Sequence, residues 1–206
     1  MMILLAVILM FATLAMLMPQ GMWTASIALV NVTTAALITI NFWEPIANWL
    51  ETVGPLRRAT YMVDFISLWF LFAISLTILR GLTDFISKTK VRFIRPLDVA
   101  GGAFFGIWTG WVLVCFTSMT LHTAPLGREF LFGGFDPEKR MVIGLAPDRQ
   151  MLGFMQNISL GAYTQSVDGS RAFDPKAEYM IKYAARRKEY SKVNSLLVPE
   201  APVLPQ

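Results

Sequence analysis

Apolar side chains run almost without a break through the first 42 positions, and Pro19-Gln20-Gly21 divides them into two stretches. A hydrocarbon core about 30 Å thick needs roughly 20 helical residues to cross it. Four stretches reach or approach that length: 1–18, 22–42, 61–79 and 99–121. The first has Thr13 as its polar residue, and the second carries Asn31, Asn41 and several threonines. The third is aromatic-rich with Asp64 near its start, and the fourth begins Gly-rich before Trp111-Val112-Leu113-Val114. The pattern predicts an all-α, polytopic membrane bundle of four helices over 1–121, then a soluble, partly helical tail over 122–206.

The connections add detail. A secretory signal peptide would carry a positive n-region and a small-residue cleavage site. Neither flanks the first stretch, so it is expected to be a retained span that turns at Pro19-Gln20-Gly21. In 43–60, Ile46, Trp49, Leu50 and Val53 recur at helical spacing. That suits a short surface helix ended by Gly54-Pro55, or a plain loop anchored by Trp43 and Trp49 at the interface. The stretch 80–96 is the most basic short linker, with Arg80, Lys88, Lys90, Arg92 and Arg95 against Asp84. Leu82, Phe85 and Ile86 suggest that the third helix continues into it. In the tail, Met151, Leu152, Met155 and Ile158 share a helical face within 147–159. Asp174-Pro175 reads as an N-cap and first-turn proline for a helix toward Lys188. The Pro-rich end from Val198 onward is expected to be disordered.

Composition agrees with two solvents along one chain. The sequence is 55% apolar and 16% charged, against about 25% charged in soluble domains. No charged residue precedes Glu44, whereas charges are frequent from Arg128 onward. The net charge of +4 comes without the clustered basic stripe and aromatic platforms of a nucleic-acid binder. One cysteine, Cys115, forms no intramolecular disulfide, and one histidine, His122, adds little toward a metal site. No phosphate-cradling glycine loop, His-Glu-x-x-His, CxxC or nucleophile–base–acid grouping is present, so neither catalysis nor a cofactor is expected.

Three features carry candidate roles. Gly102, Gly106 and Gly110 lie four apart, on one helix face where another backbone can approach closely. Asp64 is an ionisable group inside a span, which is costly and often functional; near the helix start it can also reach interfacial water or pair with Arg57 or Arg58. Asp98 suits an N-cap of the fourth helix or a partner for Arg95. His122, at the end of that helix, suits a cap or an interfacial position.

The stretch Arg95-Pro96-Leu97-Asp98-Val99-Ala100-Gly101-Gly102-Ala103-Phe104-Phe105-Gly106, placed after a basic amphipathic linker, resembles the colicin V production (CvpA-type) family. The likeness covers 1–121, with Pro19-Gln20-Gly21 standing where family members often have an Arg-Gly pair. The resemblance implies a bacterial inner-membrane protein linked to toxin production or export and to envelope homeostasis. It attaches no biochemical activity. The expected mode of action is non-enzymatic, through packing with membrane-protein partners or a second copy in the bilayer. The alternative is a small channel or transport-related component built on Asp64, the glycine face, Asn31, Asn41 and the membrane threonines. The density of basic residues in 80–96 places that linker in the cytoplasm and both termini outside it.

Overall fold

The computed structural model describes residues 2–52, 60–88, 91, 93–124, 142–161, 173–174 and 176–190. Among them every regular element is helical. The elements are α1 (Met2–Leu17), a single tight turn at Met18–Gln20, α2 (Met22–Thr52), α3 (Thr60–Ile86), α4 (Arg95–Thr120), α5 (Pro147–Leu160) and α6 (Tyr179–Tyr190). The segments Met2–Gln20, Met22–Thr52, Met62–Ile86 and Arg95–Thr120 are long and apolar enough to cross a membrane.

The four long helices run alternately up and down. Gly110 of α4 lies against Met10 and Gly102 against Met18, so α1 and α4 are antiparallel. The N-terminus of α2 meets Asp98 near the start of α4, so these two are parallel. α3 returns antiparallel to α2, with Asn31 bonded to Thr83 and Trp23 to Ser87. One end of the bundle therefore holds the Met18–Gln20 turn, the end of α3 with Ser87 and Lys88, and the start of α4; we call it the turn end. The other holds the start of α1, the ends of α2 and α4 and the start of α3. α5 and α6 dock there, at the tail end.

The core sits between α2, α3 and α4 and continues into the tail. Ala35, Ala36, Ile40, Leu68, Phe72, Phe116 and Met119 are buried together with Met151, Met155, Tyr179 and Tyr183. Phe72 and Phe116 stack with centroids 4.4 Å apart, and Trp69 meets Phe116 edge-on at 5.6 Å. Ala35 and Ala36 of α2 are fully buried, and the rings of Trp69, Phe72 and Phe116 pack in the same core.

The segment 43–52 departs from expectation. It is neither a separate surface helix nor a loop: α2 runs through it to Thr52, with Pro45 inside. The buried face is Trp43, Ala47 and half-buried Leu50, while Trp49 is exposed. Trp43 packs against Tyr183 of α6. This burial offsets the backbone hydrogen bond that an internal proline removes. Val53, Gly54-Pro55, Arg57 and Arg58 lie outside the described residues, as do Pro175 and the Pro-rich C-terminal end. α3 does extend past Arg80 to Ile86. α6 begins at Tyr179, and Asp174 caps it from a distance: its carboxylate accepts the N–H groups of Glu178 at 2.7 Å and Tyr179 at 3.1 Å.

Candidate functional site: polar clasps at the two ends of the bundle

The glycine face of α4 is filled by α1 and the turn that follows it. A methyl group on Gly102 would lie 2.8 Å from the Met18 carbonyl oxygen, and one on Gly110 would lie 2.4 Å from Thr13 Oγ1 and 3.0 Å from Met10 Cα. Gly106 is looser, its nearest neighbour being Leu14 Cα at 3.4 Å. Helix-to-helix attraction in lipid depends on such close approach. The aromatic residues Phe104 and Trp108 point away from this face and are exposed.

Asp98 does not cap its own helix. Ile94 is the N-cap of α4, Asp98 lies in the first turn, and no ion pair joins it to Arg95 among the described residues. Its Oδ1 accepts the N–H of Met22 at 2.8 Å. That N–H belongs to the first turn of α2, where a carboxylate satisfies an orphan donor and opposes the positive helix end. Gly21 makes the contact possible. Its φ is +85°, and a Cβ there would come within 2.7 Å of the Asp98 carboxylate. An acid on α4 thus fixes the α1–α2 turn.

Asp64 is placed by the tail. Its side chain is buried and accepts from the Arg186 guanidinium and from the Tyr183 hydroxyl, the latter at 3.1 Å. Arg186 also reaches Glu51 at 3.9 Å. Lys182 stands 3.7 Å from Glu44 on the exposed side. One α6 face thereby bridges the end of α2 and the start of α3. Burial pushes the Tyr183 phenol well above its ordinary range, helped by Tyr179 and by the Asp64 charge, so the hydroxyl keeps its proton and donates. The partner of Asp64 lies 122 positions away in sequence, where local spacing gives no signal.

His122 is buried with Asp148, Nε2 to Oδ2 at 3.1 Å, with side chains 0% and 1% exposed. The pair ties the end of α4 to the first turn of α5. Trp111 Nε1 adds a bond to Gln150 Oε1 at 3.1 Å. The sequence shows both residues but offers no cue that they meet. Cys115 is buried in the core, and among the described residues no group of metal-ligating side chains forms.

The described basic residues of the linker, Arg80, Lys88 and Arg95, are at the turn end. Arg80 lies 3.6 Å from Asp84, Lys88 sits over the Phe85 ring at 5.2 Å, and Arg95 is exposed in the first turn of α4. Lys90 and Arg92 lie outside the described residues.

Among known proteins, the family described as colicin V production protein matches residues 2–132, which takes in all four long helices. No curated protein and no solved structure matches the chain. With the matched stretch covering more than half of its length and the four apolar helices in place, this chain belongs to the colicin V production protein family and is a multi-pass membrane protein.

Proposed function

We propose that this protein is a non-enzymatic component of the bacterial inner membrane that serves toxin production or export and envelope homeostasis by associating with other membrane proteins or with a second copy of itself. One observation carries this reading: three titratable side chains in and beside the spans act as clasps between helices. Asp98 holds α2, Asp64 holds α6 and His122 holds α5. Chemistry that an enzyme would direct at a substrate is directed at the fold. Purification in mild detergent is expected to recover specific partners or an oligomer; a strictly monomeric, partner-free protein refutes the reading.

The orientation we propose has the turn end in the cytoplasm and both termini outside, following the positive-inside rule for Arg80, Lys88, Lys90, Arg92 and Arg95. A reporter active only outside the cytoplasm, fused after Gln206, is expected to be on, and its cytoplasmic counterpart silent. The opposite pair of results inverts the arrangement.

A second reading, a small channel or transport component, draws on a different observation. Ser67 Oγ and Trp69 Nε1 are buried with no hydrogen-bond partner among the described residues, and Ser67 lies one turn from Asp64. Against it, Asn31 is bonded to Thr83, and Thr39 and Thr109 bond carbonyls of their own helices. Flux in proteoliposomes that Asp64→Asn or Gly106→Leu abolishes would favour the channel; no flux, or flux that both variants leave unchanged, removes it.

A further inference from the structure

The turn end contains a cavity of about 740 Å³ between the α1–α2 turn, α3 and the start of α4, within the size range of small-molecule sites. Gln20, Thr24, Arg80, Phe93, Arg95 and Asp98 line it. Two arginines from different helices, Arg80 of α3 and Arg95 of α4, thus line one concave surface.

The charges are unevenly engaged. The Arg95 side chain is exposed and makes no ion pair or hydrogen bond among the described residues, and the contact from Arg80 to Asp84 is loose at 3.6 Å with both side chains about half exposed or more. Asp98 is the acid on the wall, but its Oδ1 is bound to the Met22 N–H, where the positive end of α2 offsets it. Guanidinium forks match phosphate oxygens in pairs, through charge-assisted bonds stronger than neutral ones. Gln20 and Thr24 offer further polar atoms, and Phe93 an apolar edge.

Depth selects the ligand further. Trp23, adjacent to Thr24, is partly exposed and donates its indole N–H to Ser87 at 3.0 Å. Tryptophan with one end wet marks the level of the lipid headgroups. Thr24, next in sequence, lines the cavity, so a bundle seated with Trp23 at that level brings the cavity beside the phosphodiesters.

We propose that this cavity binds a phosphate group, held by Arg80 and Arg95, and that an anionic phospholipid headgroup supplies it. The two arginines then have a ligand role besides setting orientation.

The test uses the full chain in detergent, with phosphatidylglycerol as probe and retained lipid measured by native mass spectrometry. One tightly held lipid is expected. Arg80→Gln and Arg95→Gln are each expected to weaken it about tenfold to a hundredfold, as the loss of a charge-assisted contact implies. Lys88→Gln removes an equal charge outside the cavity and is expected to leave binding unchanged. Thr24→Leu fills the cavity without altering charge and is expected to weaken binding, which covers the case of an arginine variant that does not fold. Retention in excess inorganic phosphate assigns the site to lipid; displacement assigns it to a soluble phosphate and overturns the lipid assignment. If the arginine and Thr24 variants bind as the parent does, or Lys88→Gln weakens binding as much as they do, the cavity is not the site.

Discussion

Replacing Arg186 by alanine tests the tail-end clasp most directly. The Arg186 side chain is 23% exposed and that of Asp64 8%, with Glu51 at 33%. Without the guanidinium, Asp64 keeps the Tyr183 hydroxyl but loses its cation, and Glu51 loses the same partner. Breaking a fully buried ion pair by removing one partner costs about 3–5 kcal/mol. Arg186 and Glu51 retain contact with solvent, and screening lowers the expected cost to about 2–3 kcal/mol. The sign of the rescue is the sharper point. In the Arg186→Ala background, Asp64→Asn removes the stranded charge, so the double variant is expected to recover about 1 kcal/mol or more rather than lose further. Unfolding in mixed micelles measures the cycle, and limited proteolysis measures release of α6. If each single variant costs less than about 0.5 kcal/mol and the two are additive, the contact is an ordinary surface pair and the clasp argument fails.

The glycine face predicts a graded series. Gly110→Ala and Gly102→Ala are expected to destabilise the bundle by about 1–3 kcal/mol through overpacking against α1, while Gly106→Ala is close to neutral; equal effects at all three in thermal unfolding refute the close-approach geometry. His122→Ala leaves the Asp148 carboxylate buried without its imidazole and is expected to cost about 3 kcal/mol. Faster protease cutting around α5 is its readout, and unchanged protection would show that α5 is held without the His122–Asp148 pair.

The four spans were legible because crossing lipid imposes a length and a composition on the sequence itself. The end of α2 was not, because Glu44 and Pro45 interrupt its apolar run and its buried face includes small Ala47 beside Trp43. Spacing places Gly102, Gly106 and Gly110 on one face but does not name α1 as the helix that lies on it. Asp98 looked like the cap of the helix that carries it, since a carboxylate near a helix start has the same pattern whichever N-terminus it faces. The pairs Asp64–Arg186 and His122–Asp148 depend on how distant segments dock, and separations of 122 and 26 positions leave no periodic trace. A lone buried acid in a span was a fair sign that some cation would meet it; which one only the fold could say.

The pairing of α1 with α4 also sets an order of assembly. α1 meets its glycine-faced neighbour only after α4 has been synthesised, roughly 100 residues later. At about 5–20 residues per second, that leaves α1 waiting on the order of 5–20 seconds. The Asp98–Met22 clasp forms late for the same reason, so the α1–α2 hairpin matures only when α4 arrives. A nascent chain arrested before α4 would expose α1 to whatever insertion machinery surrounds it, making that helix the segment most open to cross-linking during biogenesis.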